Sequence, residues 1–348
     1  MCLLGGTMSG SATSEVLLEL TEVRKEFGAA GGMLGRLLGR APRFRALDDV
    51  SLTLHRREVV GLVGESGCGK STLAQVAIRL LDVDAGSVAY KGNNVTRATG
   101  AALRPFRTGV QMVFQDTGSS LNPRKTVARH LAEALAVAGL ARDRRQARAE
   151  ELLRMVGLEP AILLRLPHQL SGGQRQRLAI ARSLAMDPEV LIADEPVASL
   201  DVSLQAQIVN LLDRLRRDLG LSLLFISHDL ALVARISTRV AVMFAGTIVE
   251  EGAPEHVLAA PAHPYTRALL AAIPQGIDGR ARRRGQAEPE DQAVPDIGCR
   301  FANRCPLAAA LCRAEAPPPV RVSASHVTRC HFAGSLVAHP GIAVPAEA

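Results

Sequence analysis

The run Gly64-Glu65-Ser66-Gly67-Cys68-Gly69-Lys70-Ser71-Thr72 follows the pattern G-x-x-x-x-G-K-[ST]. Its glycines let successive backbone N–H groups wrap around phosphate oxygens. Lys70 has the reach for β- and γ-phosphates. The Ser71 hydroxyl is a ligand for Mg2+, which takes few protein groups and keeps several waters. Cys68 lies inside the run, and nothing in the sequence marks it as a nucleophile. A second stretch, Leu170 to Asp201, holds two more chemical features. The turn Leu170-Ser171-Gly172-Gly173-Gln174 opens a helix, and the unpaired N–H groups of a helix N-terminus attract anions. Further on, the apolar run Val190–Ala193 ends in Asp194-Glu195, where a metal or a general base would sit. By spacing alone the anion turn and the acidic pair read as two halves of one site.

These residues need elements to hold them. The apolar segment 58–63 reads as a strand entering the phosphate loop, and a helix is expected from Ser71 to about Leu81. Residues 15–27 alternate apolar and polar and read as an edge strand. Residues 28–45 read as a Gly- and Arg-rich loop, 46–54 as a second strand, and 84–96 as a hairpin. Residues 110–115 form an apolar strand ending at Gln115. From about 120 to 185 there is no strand signal. Helical periodicity there covers 126–139, 142–156 (stopped by Gly157) and 161–166, which marks a helical subdomain inserted between core strands. The turn at Ser171 opens a further helix, 174–185. Beyond Asp201, helix 204–219, strand 222–226, Ser227-His228-Asp229, helix 230–236, strand 239–244 and a hairpin to Gly252 follow. Strands alternating with helices imply a mostly parallel sheet covered on both faces. Residues 253–274 surround a helix at 265–272, 275–296 read as a linker, and the tail after 333 has no strong pattern.

Composition narrows the class. The 348 residues are 47% hydrophobic, enough for a sizeable core, with only 3% aromatic. No apolar run is long enough to cross a membrane as a helix. The N-terminus lacks the charged and apolar regions of a secretory signal, and Met8 is a second candidate start. The net charge of +7 is spread along the chain, as in Arg142, Arg144, Arg145 and Arg148, which fits solvated faces better than a nucleic-acid surface.

Taken together, these motifs resemble the ATP-binding cassette (ABC) ATPases, over about residues 15–252. More narrowly the chain is similar to the ATPase subunits of bacterial oligopeptide/dipeptide importers. That likeness rests on Ser119-Ser120-Leu121-Asn122-Pro123, on His263-Pro264-Tyr265-Thr266 and on the C-terminal cysteines. The resemblance implies an α/β P-loop NTPase fold. It would have a RecA-like core, an antiparallel β subdomain, the inserted helical subdomain (about 120–185), a Cys-containing extension (253–335) and a tail (336–348). It also implies roles. Phe27 resembles the aromatic that stacks on adenine, with an ordinary strand-core Phe as the competing reading. Gln115 resembles the glutamine that senses Mg2+ or water. Asp194 resembles the Mg2+-orienting acid, Glu195 the general base, and His228 the histidine that bonds the γ-phosphate. Asp201 resembles an acid at the dimer interface. Ser171, Gly172, Gly173 and Gln174 would then cap ATP held by a partner cassette, so the Leu170–Asp201 stretch would serve two sites. The implied partners are a second ABC ATPase, two transmembrane permeases and, indirectly, an extracytoplasmic solute-binding protein, with the chain on the cytoplasmic face of the inner membrane. Thr117-Gly118 departs from the family, which usually has Pro and an aromatic there. Ala193 stands where other small residues are usual.

Cys299, Cys305, Cys312 and Cys330 are spaced C-x5-C-x6-C-x17-C. No pair has the C-x2-C of typical structural zinc sites, and a cytosolic setting disfavours disulfides. A [4Fe–4S] cluster, a zinc ion and four unliganded thiols all remain open. The resemblance implies the cluster. Two other functions compete with transport. One is an ABC-family ATPase acting on nucleic acid or ribosomes, which usually has two cassettes or a long coiled coil. The other is a regulatory iron–sulfur protein, disfavoured by the intact Asp194, Glu195 and His228.

Overall fold

The computed structural model describes residues 15–28, 43–115, 120–198, 200–272 and 294–333. In chain order the strands are β1 (Val16–Gly28), β2 (Arg43–His55), β3 (Val59–Val63), β4 (Ala85–Tyr90), β5 (Asn93–Asn94), β6 (Val110–Val113), β7 (Val190–Asp194), β8 (Ser222–Ile226), β9 (Arg239–Phe244), β10 (Thr247–Gly252), β11 (Val320–Ser323) and β12 (His326–Thr328). They form two sheets. One is antiparallel, in the order β2-β1-β4-β5. The other runs β11-β12-β10-β9-β3-β8-β7-β6. Its members β9, β3, β8, β7 and β6 are parallel, and β10, β12 and β11 extend it antiparallel at one edge.

The helices are α1 (Lys70–Ala77), α2 (Arg104–Gly109), α3 (Val127–Val137), α4 (Arg145–Met155), α5 (Gly172–Leu184), α6 (Val202–Leu219), α7 (Leu230–Ile236), α8 (Pro254–Ala259), α9 (Pro264–Ala271) and α10 (Ala310–Ala314). The central strands read as unbroken apolar runs because both faces of their sheet are buried. Val59 and Val63 of β3, with Leu191 of β7 and Phe225 of β8, face a core shared with α3, α4, α5 and α6. Val60 and Leu62, with Ile192 and Leu224, face α1 and the antiparallel sheet. The register Leu62↔Ile226, Asp194↔Ile226 and Val113↔Ala193 leaves the strand ends nearly flush. Four loops therefore leave the sheet side by side. In an open α/β sheet that crevice is where ligands bind.

Several expectations need correction. β1 is not an edge strand, since it pairs with β2 on one side and β4 on the other. The helix after the phosphate loop ends at Ala77, not Leu81, because Arg79 takes a left-handed φ of 56°. Residues 161–166 are not an α-helix but fall on a 3-10 segment, Pro160–Leu164. Two helices, not one, occupy 253–272, and each starts with a proline at its first turn. β11 and β12 carried no strand signal. They are short, and they form only by adding to β10 at the sheet edge. Gly157 ends α4 as expected, at φ 71°. Of the expected 28–45 loop, Gly28 ends β1 and 43–45 begin β2, and 29–42 lie outside the described residues, as do Thr117-Gly118, Ser119, most of the 275–296 linker and the tail.

Candidate active site

The phosphate loop is a strained turn between β3 and α1. Gly64, Gly67 and Gly69 have φ of 154°, 79° and 108°, conformations open mainly to glycine. A methyl on Gly64 would stand 2.2 Å from the Met243 carbonyl oxygen, and one on Gly69 2.5 Å from that of Ala46. The loop is pinned at its far side, where the Gly246 N–H donates to the Cys68 carbonyl at 2.8 Å. Lys70 is buried, and its ammonium donates to the carbonyls of Gly64 (2.8 Å) and Glu65 (2.9 Å). The cation thus sits inside the curve of the loop. Burial pushes the Cys68 thiol up, which keeps it protonated, a state that does not suit a nucleophile.

The acidic pair splits into two environments. Asp194, the last residue of β7, is buried and accepts a bond from the Ser71 hydroxyl at 3.3 Å. Burial raises its pKa, the Ser71 bond opposes this, and the neighbouring Glu195 charge adds to it. A carboxylate and a hydroxyl facing each other are oxygen donors of the kind Mg2+ takes. Glu195 leaves the strand at φ 44°, its N–H held by the Ile226 carbonyl at 3.0 Å. This turn swings its carboxylate away from Asp194's position. Glu195 Oε2 accepts from Gln115 Nε2 at 3.3 Å and stands 3.4 Å from His228 Nδ1. Three loops, after β6, β7 and β8, therefore converge on one carboxylate oxygen. Gln115 reaches it because β6 ends at Val113, leaving Gln115 outside the sheet.

The turn at Ser171 is separate in its bonding. Ser171 Oγ accepts from the Gln174 N–H at 3.2 Å, and Gln174 Oε1 accepts from the Ser171 N–H at 3.0 Å, a capping box on α5. Methyls on Gly172 and Gly173 would meet only leucine side chains, at 3.4 Å, so the chain's own packing does not demand glycine at either position. Asp201 caps α6, accepting from the Leu204 N–H at 2.9 Å, and that bond holds its carboxyl below the usual range. Phe27 is 39% exposed and carries the Lys25 ammonium over its ring at 5.8 Å. The strand-core reading of Phe27 is therefore wrong. Phe44, 62% exposed and paired with Phe27 across β1 and β2, was not singled out from the sequence. Its signal is weak, a lone aromatic in an Arg-rich segment.

Glu65, expected among the phosphate-contacting residues, is bound elsewhere. Its N–H donates to the Tyr265 hydroxyl at 2.9 Å, and its carboxylate receives Arg304 through two 2.8 Å bonds. Both partners lie some two hundred residues away in sequence, so no local pattern pointed to them.

Cys299, Cys305, Cys312 and Cys330 line one small cavity with Phe301, Phe332 and Pro264. The Cys299 N–H donates to the Cys312 carbonyl at 2.7 Å. Burial pushes the thiols of Cys305 and Cys330 up to about 11. Four thiols with no carboxylate beside them suit iron–sulfur or zinc chemistry. The space between them is only about 10 Å3, room for one water, so loading requires the side chains to turn. Among the described residues, no group of three or more His, Cys, Asp or Glu side chains already has metal-holding geometry. Also among them, no helix is long and apolar enough to cross a membrane.

Residues 47–198 match the family described as ABC transporter, and residues 249–312 match the oligopeptide/dipeptide transporter C-terminal region. A Brucella abortus (strain 2308) protein, provisionally named a peptide import ATP-binding protein, is 50% identical over 290 residues, covering 83% of this chain and 86% of its own. The oligopeptide transport ATP-binding protein AppF of Bacillus subtilis (strain 168) is 42% identical over 328 residues, covering 92% and 99%. The ATP-binding cassette MJ0796, solved as a dimer in a post-hydrolysis state with ADP and Pi, superposes with a TM-score of 0.59 at 27% identity, covering 68% of this chain and 99% of its own. Sheet, loop and relatives agree on an ABC-type ATPase with a P-loop core. Within that class the chain belongs to the ATP-binding subunits of the oligopeptide/dipeptide importer family.

Proposed function

We propose that this chain is the ATP-hydrolysing subunit that energises uptake of di- or oligopeptides, or related small solutes, through a bacterial ABC importer. The observation that carries the reading is the convergence of Gln115 and His228 on Glu195 Oε2, beside the Ser71–Asp194 pair and the buried Lys70. ATP phosphates lie against the N–H groups of the loop between Ser66 and Thr72 and against Lys70, with Phe27 stacked on adenine. Ser71, Asp194 and Gln115 would hold Mg2+, which would supply charge neutralisation at the phosphates. Phosphoryl transfer is mostly positioning and charge stabilisation. Glu195 takes the proton of the attacking water, Gln115 orients that water, and His228 donates to the γ-phosphate. Raised pKa at Asp194 through burial fits a carboxylate built to face a cation.

The Ser171 turn serves a partner's ATP. The lack of internal need for glycine at Gly172 and Gly173 suits close approach by an external phosphate. Asp201, next to that turn, lies at the same dimer interface. The partner is a second ABC ATPase, like or unlike this one. Two transmembrane permeases complete the complex on the cytoplasmic face of the inner membrane, and a solute-binding protein delivers substrate. The ATPase domain spans 15–252, with the helical subdomain at 120–185 receiving the permease, and the extension spans 253–335. Its four cysteines would hold a [4Fe–4S] cluster once their side chains turn, and the support for this is that all four line one cavity.

Affinity purification of the full chain from its own membranes tests the transport reading. Two polytopic proteins and a second ATPase should co-purify, and vesicles containing them should hydrolyse ATP faster with peptide-loaded binding protein. Recovery of ribosomes or nucleic acid alone would overturn it. Anaerobically purified chain should be brown, with broad absorbance at about 400 nm from thiolate–iron charge transfer. Colourless protein carrying stoichiometric zinc, or four free thiols, refutes the cluster.

A further inference from the structure

The C-terminal extension does more than follow the ATPase domain in sequence. It grips the second residue of the phosphate loop. Each polar group of Glu65 is bound. Its N–H donates to the Tyr265 hydroxyl at 2.9 Å, its carbonyl accepts from Lys70 at 2.9 Å, and its carboxylate takes both Arg304 nitrogens at 2.8 Å. A fork of two parallel N–H···O bonds restrains direction as well as distance, which a single ammonium cannot do.

The grip is itself rigid. Tyr265 is fully buried, packed on Phe244 at 4.6 Å and on Phe301 at 5.5 Å between ring centroids. The Arg304 guanidinium lies over the same two rings, 5.4 Å from Phe244 and 5.7 Å from Phe301. Phe244 ends β9, the parallel neighbour of the strand that enters the loop. The aromatic group is thus anchored on the sheet and holds hydroxyl and guanidinium at fixed points. Both groups bond Glu65 of the loop rather than Lys70 or Ser71. They act on the phosphate loop, and through the shared Glu65 carbonyl on the position of Lys70.

We propose that Tyr265 and Arg304 are positioning residues for the phosphate loop, locking Glu65 so that Lys70 and the loop N–H groups are preorganised for ATP. The consequence is specific. Preorganisation lowers the cost of binding, so its loss should appear in nucleotide affinity before the chemical step. The segment from Cys299 to Cys305 also carries Phe301 and Arg304, so the cysteine cavity and the phosphate loop share one stretch of chain.

This rests on the ATP-site reading above, and the test separates the two. ATP affinity, KM, kcat and melting temperature are measured on the full chain and on Tyr265→Phe, Arg304→Ala, Arg304→Lys, Glu65→Gln and Lys70→Ala. Tyr265→Phe keeps the buried ring and removes only the hydroxyl, so it should fold. It should raise the Kd and KM for ATP three- to tenfold, roughly the value of one hydrogen bond, with kcat within twofold and a melting temperature lowered by no more than about 2–4 °C. Arg304→Ala should do the same, and Arg304→Lys should restore only part of the loss. In the Arg304→Ala/Glu65→Gln double variant the losses should not add. Wild-type ATP affinity in Tyr265→Phe and Arg304→Ala, or additive losses, would overturn the proposal. If instead wild type and Lys70→Ala bind ATP alike, the ATP-site reading itself fails.

Discussion

Alanine at Gly69 is a one-atom-group change whose effect the coordinates allow to be worked out. Gly69 sits at φ 108°, ψ 2°, as the N-cap of α1. An L-residue held in left-handed space costs about 1–2 kcal/mol. The new methyl would lie 2.5 Å from the Ala46 carbonyl oxygen, closer than any real methyl stands. Ala46 sits at a bulge in β2, between Arg45 and Leu47, which pair with Glu26 and Lys25 of β1, so its oxygen cannot move far without disturbing both pairs. Overpacking of this kind adds about 1–3 kcal/mol. The sum is about 2–5 kcal/mol, and it must appear in one of two places. If the loop keeps its shape, the folded state loses that stability. If the loop relaxes, its N–H groups leave their positions and ATP binding weakens by roughly 30-fold to several thousand-fold. Thermal melting and titration with ATP, run on the same preparation, read both terms. A Gly69→Ala protein with wild-type melting and wild-type ATP affinity refutes the steric reasoning. Loss of either, or a shared loss summing to this range, supports it.

Other substitutions separate the roles of the remaining groups. Glu195→Gln keeps size and hydrogen bonding but removes the base, so turnover should fall about 10²- to 10⁴-fold while ATP still binds and a nucleotide-trapped dimer accumulates by size-exclusion chromatography; wild-type turnover would remove Glu195 as the base. Gly172→Asp adds a carboxylate at a helix start that tolerates it but faces a partner's phosphate, so ATP binding by the single chain should persist while ATP-driven dimerisation is lost; an unchanged dimer yield sinks the trans assignment. His263, buried at the start of α9, accepts the Tyr265 N–H at 3.1 Å, and burial lowers its pKa from 6.5 to about 3. The fold therefore holds it neutral, and the stability is present above about pH 6.5 and lost as pH falls toward 3. Between pH 7.5 and 5.5 it should cost on the order of 1 kcal/mol. Melting curves of wild type and His263→Asn should diverge in pH slope, and parallel slopes refute the assignment.

Most of the chemistry was legible because it is local. A phosphate loop needs its glycines, lysine and serine consecutively, since one turn must bring all of them to one anion. Asp194-Glu195 and Ser227-His228 were legible for a related reason. A strand buried on both faces is a short apolar run, and the residue after it falls at the sheet's ligand-binding edge. What the sequence does not carry is which strand lies beside which. β1 read as an edge because its alternation cannot reveal a second partner in β4. β11 and β12 gave no signal because a three- or four-residue strand draws its stability from the edge it joins. Phe27 was ambiguous between core and surface until the pairing with Phe44 exposed both.

The amino-acid order by itself determined the class of the protein, the phosphate loop, and which residues have the chemistry of base, metal ligand and cap. Only the tertiary structure decided that Glu195 Oε2 is the meeting point of Gln115 and His228, and that Tyr265 and Arg304 hold Glu65 from the far end of the chain. The reason is physical. Loop and cap geometry follow from neighbours in sequence, while contacts across hundreds of residues follow from sheet order and register, which local propensity does not specify.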